Sequence, residues 1–597
     1  MAEEIFIGLA LIIGLGISLQ WLARLLKIPG IILLLPAGMI VGPILGLVKP
    51  QEIFGNALFP LVTIGVGILL LKGGLELRLK HLKPVITKSV SRLVIFGVIM
   101  TLAVGTGAVL LLFGVSLKFA FVLSALLVVS GPTVVGPILN FARPKEPIGS
   151  VLLWEGIIID PVGAALAVAA ISIITAQNPN PLLDLFLTIV VGVIIGFMAA
   201  FIYNVMDRLR YIPKGLNAII ALMLGIVAIA VGELIFSEAG LFAALTMGFV
   251  LANRGLSPYG SIKVLTDQLE PLIIGILFIM LAALVNLSAM YQYLLPALGL
   301  AAILILIQRP LVSLLSTQGL GYSKAERIFI GAIHPRGIVA AATASLFAIN
   351  LSKIGLGFPQ MVPTVFIVIL STVVIYGLGT PILSRLLKLA EPEPKGIAIY
   401  GEQKWALDLA LSLHNAGATV MLLAPGRKKD IKNLPDSENI PYKVYTGSLD
   451  ELADDEIVDD DHAFIKKIDW LIIASSHTDV IKYTVHVFME SIGLTHMIAF
   501  GSEHELQDQL VFGGKIDILA KTPYGLFGRN QNELLEILDN GGSFKAITKE
   551  EQPKEGGTPE GTKPFLRVNN DGSLAVPGSD SQLENGEYII TITTNEM

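Results

Sequence analysis

The chain has 597 residues, 53% of them hydrophobic and 15% charged, with a mean hydropathy of +0.73. That is the composition of a membrane protein. There is no cysteine, which excludes disulfides, thiolate metal sites and thiol catalysis, and the net charge of −6 is spread along the chain and offers no basic surface to nucleic acid.

Apolar runs joined by short links fill the chain up to about Leu389; beyond it the sequence is polar, charged and mixed. Two parts are expected, a membrane domain over 1–390 and a soluble part after it. The first apolar run follows Met1-Ala2-Glu3-Glu4, with neither a basic leader nor a small-residue cleavage site, and reads as a retained helix. A bilayer crossing takes about 20 apolar residues. Runs of that kind centre on 5–24, 30–48, 57–77, 91–114, 118–140, 148–175, 182–205, 217–236, 238–253, 269–289, 294–316, 326–350 and 363–388, which predicts about 13 transmembrane helices. Alternate links carry the basic residues, among them Arg78, Lys88 and Arg92, then Arg208 and Arg210, then Lys324 and Arg327. The positive-inside rule makes those links cytoplasmic, placing the N-terminus outside and the soluble part inside.

The fifth and twelfth spans are interrupted by residues that a plain helix avoids. The fifth holds Val129-Ser130-Gly131-Pro132-Thr133-Val134-Val135-Gly136-Pro137, and the twelfth holds Gly331-Ala332-Ile333-His334-Pro335-Arg336-Gly337. Unwound backbone at membrane depth is tolerated only within protein or around a cavity. Two such breaks seven spans apart fit inverted repeats, with a transport site where the broken, crossing helices meet. Kinks at proline are the plainer explanation for either break taken alone.

The sixth span carries two carboxylates, Glu155 and Asp160, in Trp154-Glu155-Gly156-Ile157-Ile158-Ile159-Asp160-Pro161. Each costs at least about 2.5–3.5 kcal/mol at membrane depth, so each needs a partner, a proton or an ion. Five residues of helix turn the two side chains roughly 140° apart, so they face different neighbours. Arg336 stays charged when buried and is the natural partner for Glu155, locking span six to span twelve. Asp160 is then the titrating group, holding either a proton or a cation. Pro161 removes a backbone donor beside it. His334 is a second candidate for pH sensitivity, against the plainer role of donating to a backbone carbonyl.

Taken together, Glu-x4-Asp-Pro in span six, Ser-Gly-Pro-Thr in span five and Pro-Arg-Gly-Ile-Val-Ala-Ala in span twelve resemble the monovalent cation:proton antiporter-1 family. Ile31 to Leu45, Gly73-Gly74-Leu75-Glu76-Leu77, Glu270-Pro271-Leu272 and Arg309-Pro310-Leu311 fit it as well. The resemblance covers nearly all of 1–390. It implies a homodimer with spans 1–3 and 8–10 on the dimerisation side and spans 4–6 and 11–13 as a moving core. It implies that Asp160 binds the ion with Ser130 nearby, and that Glu155 pairs with Arg336; Thr133 of the same motif is a further candidate ligand. The chain departs from the family pattern at Ile159, Gly131 and Lys72, where Asn, an acid and an acid are frequent. Lys72 is expected to pair with Glu76 one turn on or to reach the inner surface, with a modulatory role as the alternative. The thin set of side-chain ligands leaves backbone carbonyls and water to complete a cation's shell, with sodium first and potassium second as the transported ion.

In the soluble part, strands are expected at Lys395 to Tyr400, Ala418 to Ala424, Trp470 to Ala474, Met497 to Phe500 and Ile516 to Ala520, with a helix from Lys404 to Ala416. Strands alternating with helices predict a Rossmann-like cytosolic domain over 394–545, resembling the regulatory domains attached to potassium channels and antiporters. The turn Gly401-Glu402-Gln403-Lys404-Trp405 lacks the Gly-x-Gly-x-x-Gly fingerprint, and no acid ends the second strand, so no nucleotide cofactor is expected. Arg427, Lys428 and Lys429 read as a solvated basic loop rather than a phosphate site, and Asp454 to Asp461 as a solvated acidic loop rather than a calcium site. A Gly/Pro-rich linker is expected over 546–563, and a small β unit over 564–597.

These features predict a cation/proton antiporter in a bacterial-type inner membrane, binding monovalent cations and protons within the lipid bilayer. A channel would need stacked carbonyls or charge rings, and no such repeat is present. A transporter of anions or organic solutes is the alternative that Lys72 suggests and Asp160 opposes. No nucleophile–base pair supports an enzyme.

Overall fold

The computed structural model describes residues 2–26, 28–79, 84–175, 180–213, 215–253, 259–391, 395–401, 404–423, 443–445, 468–473, 497–499, 543–553, 562–570 and 586–593, with a few single or paired positions between 449 and 584. The chain divides into two compact units, Met1–Glu391 and Pro392–Met597.

The first unit is helical. Its elements are α1 (Ala2–Leu25), α2 (Ile31–Met39), α3 (Pro50–Phe54), α4 (Leu58–Glu76), α5 (Pro84–Phe113), α6 (Leu117–Leu126), α7 (Pro132–Ala142), α8 (Ile148–Thr175), α9 (Pro181–Arg208), α10 (Asn217–Ile235), α11 (Ala239–Asn253), α12 (Tyr259–Ala282), α13 (Leu287–Gln292), α14 (Leu294–Ile303), α15 (Arg309–Thr317), α16 (Lys324–Ile330), α17 (Ile338–Lys353) and α18 (Met361–Leu386). Among the described residues, nine helices are long and apolar enough to cross a membrane, and five shorter apolar helices accompany them. Two of the helices contain a π-helical turn, Ile40–Ile44 after α2 and Leu304–Gln308 between α14 and α15.

The helices associate in two groups. One is built on α4, α9, α10, α11 and α12 with α1 and α2; the other on α5 to α8 and α14 to α18. Lipid tails are as apolar as leucine, so close backbone approach and van der Waals contact do what the hydrophobic effect does in water. The α4–α11 crossing shows this. A Cβ on Gly74 would lie 2.3 Å from the Leu245 carbonyl oxygen, and one on Gly248 would lie 2.1 Å from that of Leu71. Only hydrogen fits at either position.

The breaks predicted in spans five and twelve are present. The backbone leaves helix at Leu127 and re-enters it at Pro132, a residue suited to the first helical turn because it has no N–H to satisfy. It leaves again at Gly331 and re-enters at Ile338. Helix α8 by contrast runs unbroken through Pro161. At its other end the unit is tied off by backbone pairing. Lys145 N–H donates to the Leu389 carbonyl at 2.8 Å, and Glu391 N–H donates to the Arg143 carbonyl at 2.7 Å. The residues after α18 are thereby fastened to the loop between α7 and α8.

The second unit contains a five-stranded parallel sheet of β1 (Gly396–Tyr400), β2 (Val420–Leu423), β3 (Lys443–Tyr445), β4 (Ile468–Ile473) and β5 (Met497–Ala499), in the order β3-β2-β1-β4-β5. Its central strands are near-continuous apolar runs buried on both faces, as a parallel sheet requires. Helix α19 (Lys404–Asn415) buries Ala406, Leu409, Ala410 and Leu413 against it. A four-stranded antiparallel sheet follows, of β6 (Ser543–Thr548), β7 (Thr562–Val568), β8 (Leu574–Ala575) and β9 (Tyr588–Thr593), ordered β6-β9-β7-β8. It packs on α19, where Ser412 Oγ donates to the Phe544 carbonyl at 3.1 Å, and Arg567 of β7 pairs with Glu587, the residue before β9. The segment 546–563 therefore differs from a plain linker. Its first residues belong to β6 and its last to β7, so the small β unit begins at Ser543 rather than 564. The expected strand Ile516 to Ala520, the basic run Arg427–Lys429, the acidic run Asp454–Asp461, and Glu402 and Gln403 of the first turn lie outside the described residues.

Candidate functional site

The two interrupted helices cross where Asp160 sits. Gly131 and Gly337, the residues just before α7 and α17, both have extended backbone. A Cβ on Gly337 would lie 2.9 Å from the Gly131 nitrogen, so the two unwound segments touch backbone to backbone. A Cβ on Gly131 would lie 3.0 Å from Asp160 Oδ2 and 3.3 Å from Oδ1, and one on Gly337 would lie 3.8 Å from Oδ1. The Asp160 carboxylate is thus pressed against the crossing point, which has room for it because neither neighbour carries a side chain. This also gives Gly131 a reason. An acidic side chain there would displace Asp160.

The surroundings suit a negative charge. Helices α7 and α17 both start beside Asp160, and a helix start presents unsatisfied N–H groups and partial positive charge. Asp160 is 2% exposed, and its Oδ1 has no hydrogen-bond partner. Ser130 Oγ and Thr133 Oγ1, on either side of Gly131 and Pro132, are likewise buried without a partner. Leaving a buried polar atom unmatched costs about 1–3 kcal/mol. Two of these oxygens stand at the start of α7, and the third belongs to the α8 carboxylate that lies against Gly131 between them. Ile159 does not take part; its side chain packs toward Gly97 on α5.

Glu155 faces elsewhere, as the helical angle requires, but its partner is not Arg336. Arg309 Nη1 donates to Glu155 Oε1 at 2.5 Å and Nη2 to Oε2 at 2.8 Å, a bidentate pair with both residues buried. Arg309 Nε also donates to the Ile330 carbonyl at 3.0 Å, at the end of half-helix α16. Arg336 Nη1 instead donates to the Val128 carbonyl at 3.2 Å, just past the end of half-helix α6. Its backbone N–H donates to Thr372 Oγ1 at 3.2 Å. The physical reason is shared. Each interrupted span leaves unsatisfied carbonyls and partial negative charge where its first half stops, and each arginine covers one of those ends. Only Arg309 does so within reach of Glu155. The sequence carried the signal, since Arg309 is as isolated in its apolar run as Arg336 is in its own.

His334 lies in the unwound part of span twelve, 4% exposed, with Nδ1 3.8 Å from Glu155 Oε1 and Nε2 without a hydrogen-bond partner. Lys72 is not at the crossing point. Its ammonium lies 3.6 Å from Glu76, 2.8 Å from Asp267 and 2.5 Å from Glu270, so it joins α4 to α12 and makes two contacts beyond the expected one. The next residue, Gly73, faces Ile157 and Pro132 of the other helix group.

Residues 7–386 match the family model "Sodium/hydrogen exchanger, transmembrane". The chain is 27% identical over 428 residues to Na(+)/H(+) antiporter 1 of Methanocaldococcus jannaschii, across 67% of this chain and 96% of that protein. It is 25% identical to the K(+)/H(+) antiporter NhaP of Alkalimonas amylolytica, across 60% of this chain and 64% of that one. The solved structure of the sodium proton antiporter MjNhaP1 from Methanocaldococcus jannaschii at pH 8 superimposes with a TM-score of 0.57 at 25% identity, covering 64% of this chain and 98% of the other.

Proposed function

The chain belongs to the sodium/hydrogen exchanger family, and on that premise we propose that it exchanges a monovalent cation, sodium by preference, for protons across a membrane by alternating access at Asp160. The observation that carries this is the buried Asp160 carboxylate at the crossing of two interrupted helices, one of which also carries the unmatched Ser130 and Thr133 oxygens. One carboxylate holds a proton or a cation but not both, so each ligand must leave before the other binds. Exchange follows if only an occupied site crosses.

A single site taken in turn by one proton or one cation sets the stoichiometry. Glu155 and Arg309 cancel. Protonation and cation binding each add one positive charge at Asp160. The loaded core therefore has the same charge in both directions, and one-for-one exchange is electroneutral. Arg309–Glu155 fixes the geometry and takes no part in the exchange. Relatives named as Na(+)/H(+) and as K(+)/H(+) antiporters support both ions. The few side-chain ligands around Asp160 favour potassium, with its lower demand for dehydration, as the second reading.

Thirteen passes result if α6 with α7, and α16 with α17, each count as one interrupted span. The basic links then lie inside, the N-terminus outside and the soluble unit in the cytoplasm of a bacterial-type cell, beneath its inner membrane. The group holding α1, α2, α4 and α10 to α12 is the scaffold through which two copies pair. The strand order of the second unit supports a Rossmann-like regulatory domain. Pairing of residues 389–391 with the α7–α8 loop supplies a route by which it acts on the site helices.

Proton movement in proteoliposomes after sodium, potassium or lithium pulses tests the reading. Cation-driven proton movement, largest with sodium and insensitive to membrane potential, is expected. A wild-type protein that moves no protons with any of the three would overturn it.

A further inference from the structure

A groove of about 630 Å³ lies in the helix group that carries Asp160, between the α14–α15 stretch, α16 and α18. Its walls are almost entirely apolar, and Leu306, Leu314, Ile328 and Ile375 on its margins are exposed at the protein surface. The lining extends along one helix stretch from Ile305 to Leu314, and nine residues of helix rise about 14 Å. A bilayer's hydrocarbon core is about 30 Å thick, so the groove has the length of one leaflet.

Two polar groups occupy this apolar wall without partners. Thr380 is 2% exposed, lines the groove, and its Oγ1 makes no hydrogen bond. Arg327, on the first turns of α16, also lines it; its Nε is buried and unmatched, and among the described residues its guanidinium makes no ion pair. The neighbouring carboxylate is committed elsewhere, since Glu326 Oε2 accepts from the Ser323 N–H at 2.6 Å in the cap of α16. Lys324 adds a second positive charge at the same end.

We propose that this groove is a binding site for an anionic phospholipid of the inner leaflet. Its phosphate pairs with Arg327, and one acyl chain lies along the apolar wall past Thr380. An apolar trough facing hydrocarbon is filled by a chain rather than by water, and an unpaired guanidinium at its end selects for a phosphate with net negative charge. The placement in the inner leaflet rests on the topology given above. Gly331 and Ala332, where the backbone of the twelfth span unwinds, form part of the wall, as does Pro310 beside Arg309. A bound lipid thus braces the segment that carries Arg336 and the start of α17.

The test is native mass spectrometry of the full chain released from nanodiscs of phosphatidylglycerol and phosphatidylcholine with matched acyl chains. It reads binding, so its outcome is independent of whether the chain exchanges ions. Two variants accompany the wild type. Arg327→Gln removes the charge, and Gly379→Leu fills the trough from a position where an added Cβ meets nothing within 4 Å. The wild type should retain one phosphatidylglycerol per protomer with a preference of about tenfold, the scale of a charge-assisted hydrogen bond. Both variants should lose it while keeping the wild-type melting temperature in detergent. Retention unchanged in both overturns the proposal. Loss in Arg327→Gln alone places the lipid outside the groove, and loss in Gly379→Leu alone removes the charge selection, and either result overturns it too.

Discussion

Arg309 and Arg336 are two buried guanidiniums with different work. Arg309 satisfies both oxygens of Glu155 and a carbonyl at the end of α16; Arg336 holds the backbone past the end of α6. Removing one member of a buried, bidentate pair leaves an uncompensated charge and costs about 3–5 kcal/mol. Arg309→Met should therefore lower the thermal stability of the purified protein sharply, and Glu155→Gln in the same chain should recover much of the loss. A double-mutant cycle between Glu155 and Arg336 should give a far smaller coupling energy. If the larger coupling fell on Arg336, the assignment of partners would be wrong. The carboxylates themselves were legible in the sequence because charge stands out in an apolar run. The partner was not, since two arginines met the same criterion. What separates them is which half-helix end each one covers, and that depends on how distant spans cross.

At the scale of elements, the site depends on two segments of helix being absent. Glycine and proline mark both breaks in the sequence, and both occur where those residues predict. The contact between the breaks was not legible, because it is a backbone-to-backbone approach with no side chain to signal it. Gly337→Ala would put a methyl group 2.9 Å from the Gly131 nitrogen, against backbone that cannot turn aside. We expect it to abolish transport and to cost about 1–3 kcal/mol through overpacking. Gly136→Ala, on α7 itself and with nothing within 4 Å of the new methyl, should keep transport and hold or raise stability. Equal transport by the two variants would show that the crossing is not tight. Strand β6 was missed for a related reason. Phe544-Lys545-Ala546-Ile547 is short, buries Phe544 and Ile547 three apart rather than in strict alternation, and finds its partner β9 only after a Gly/Pro-rich stretch whose composition is that of a linker.

Over the whole molecule, function divides as the structure does. The first unit holds every residue assigned to exchange, and it ends at Glu391 with its own backbone pairing to the α7–α8 loop. A chain truncated after Glu391 should insert, remain folded and still exchange cations for protons, with the pH or ion dependence of the rate altered if the proposed regulatory role of the second unit holds. A folded but inactive truncation would assign the second unit an essential part in transport. The central claim is that one carboxylate carries both ligands in turn. It is tested most directly by comparing wild type with Asp160→Asn in proteoliposomes, following internal pH after sodium, potassium and lithium pulses between pH 6 and 9, with melting temperature as the control for folding. The account predicts cation-driven proton movement in the wild type and none in a folded Asp160→Asn protein, with every ion and at every pH. Exchange by Asp160→Asn at the wild-type rate would contradict it.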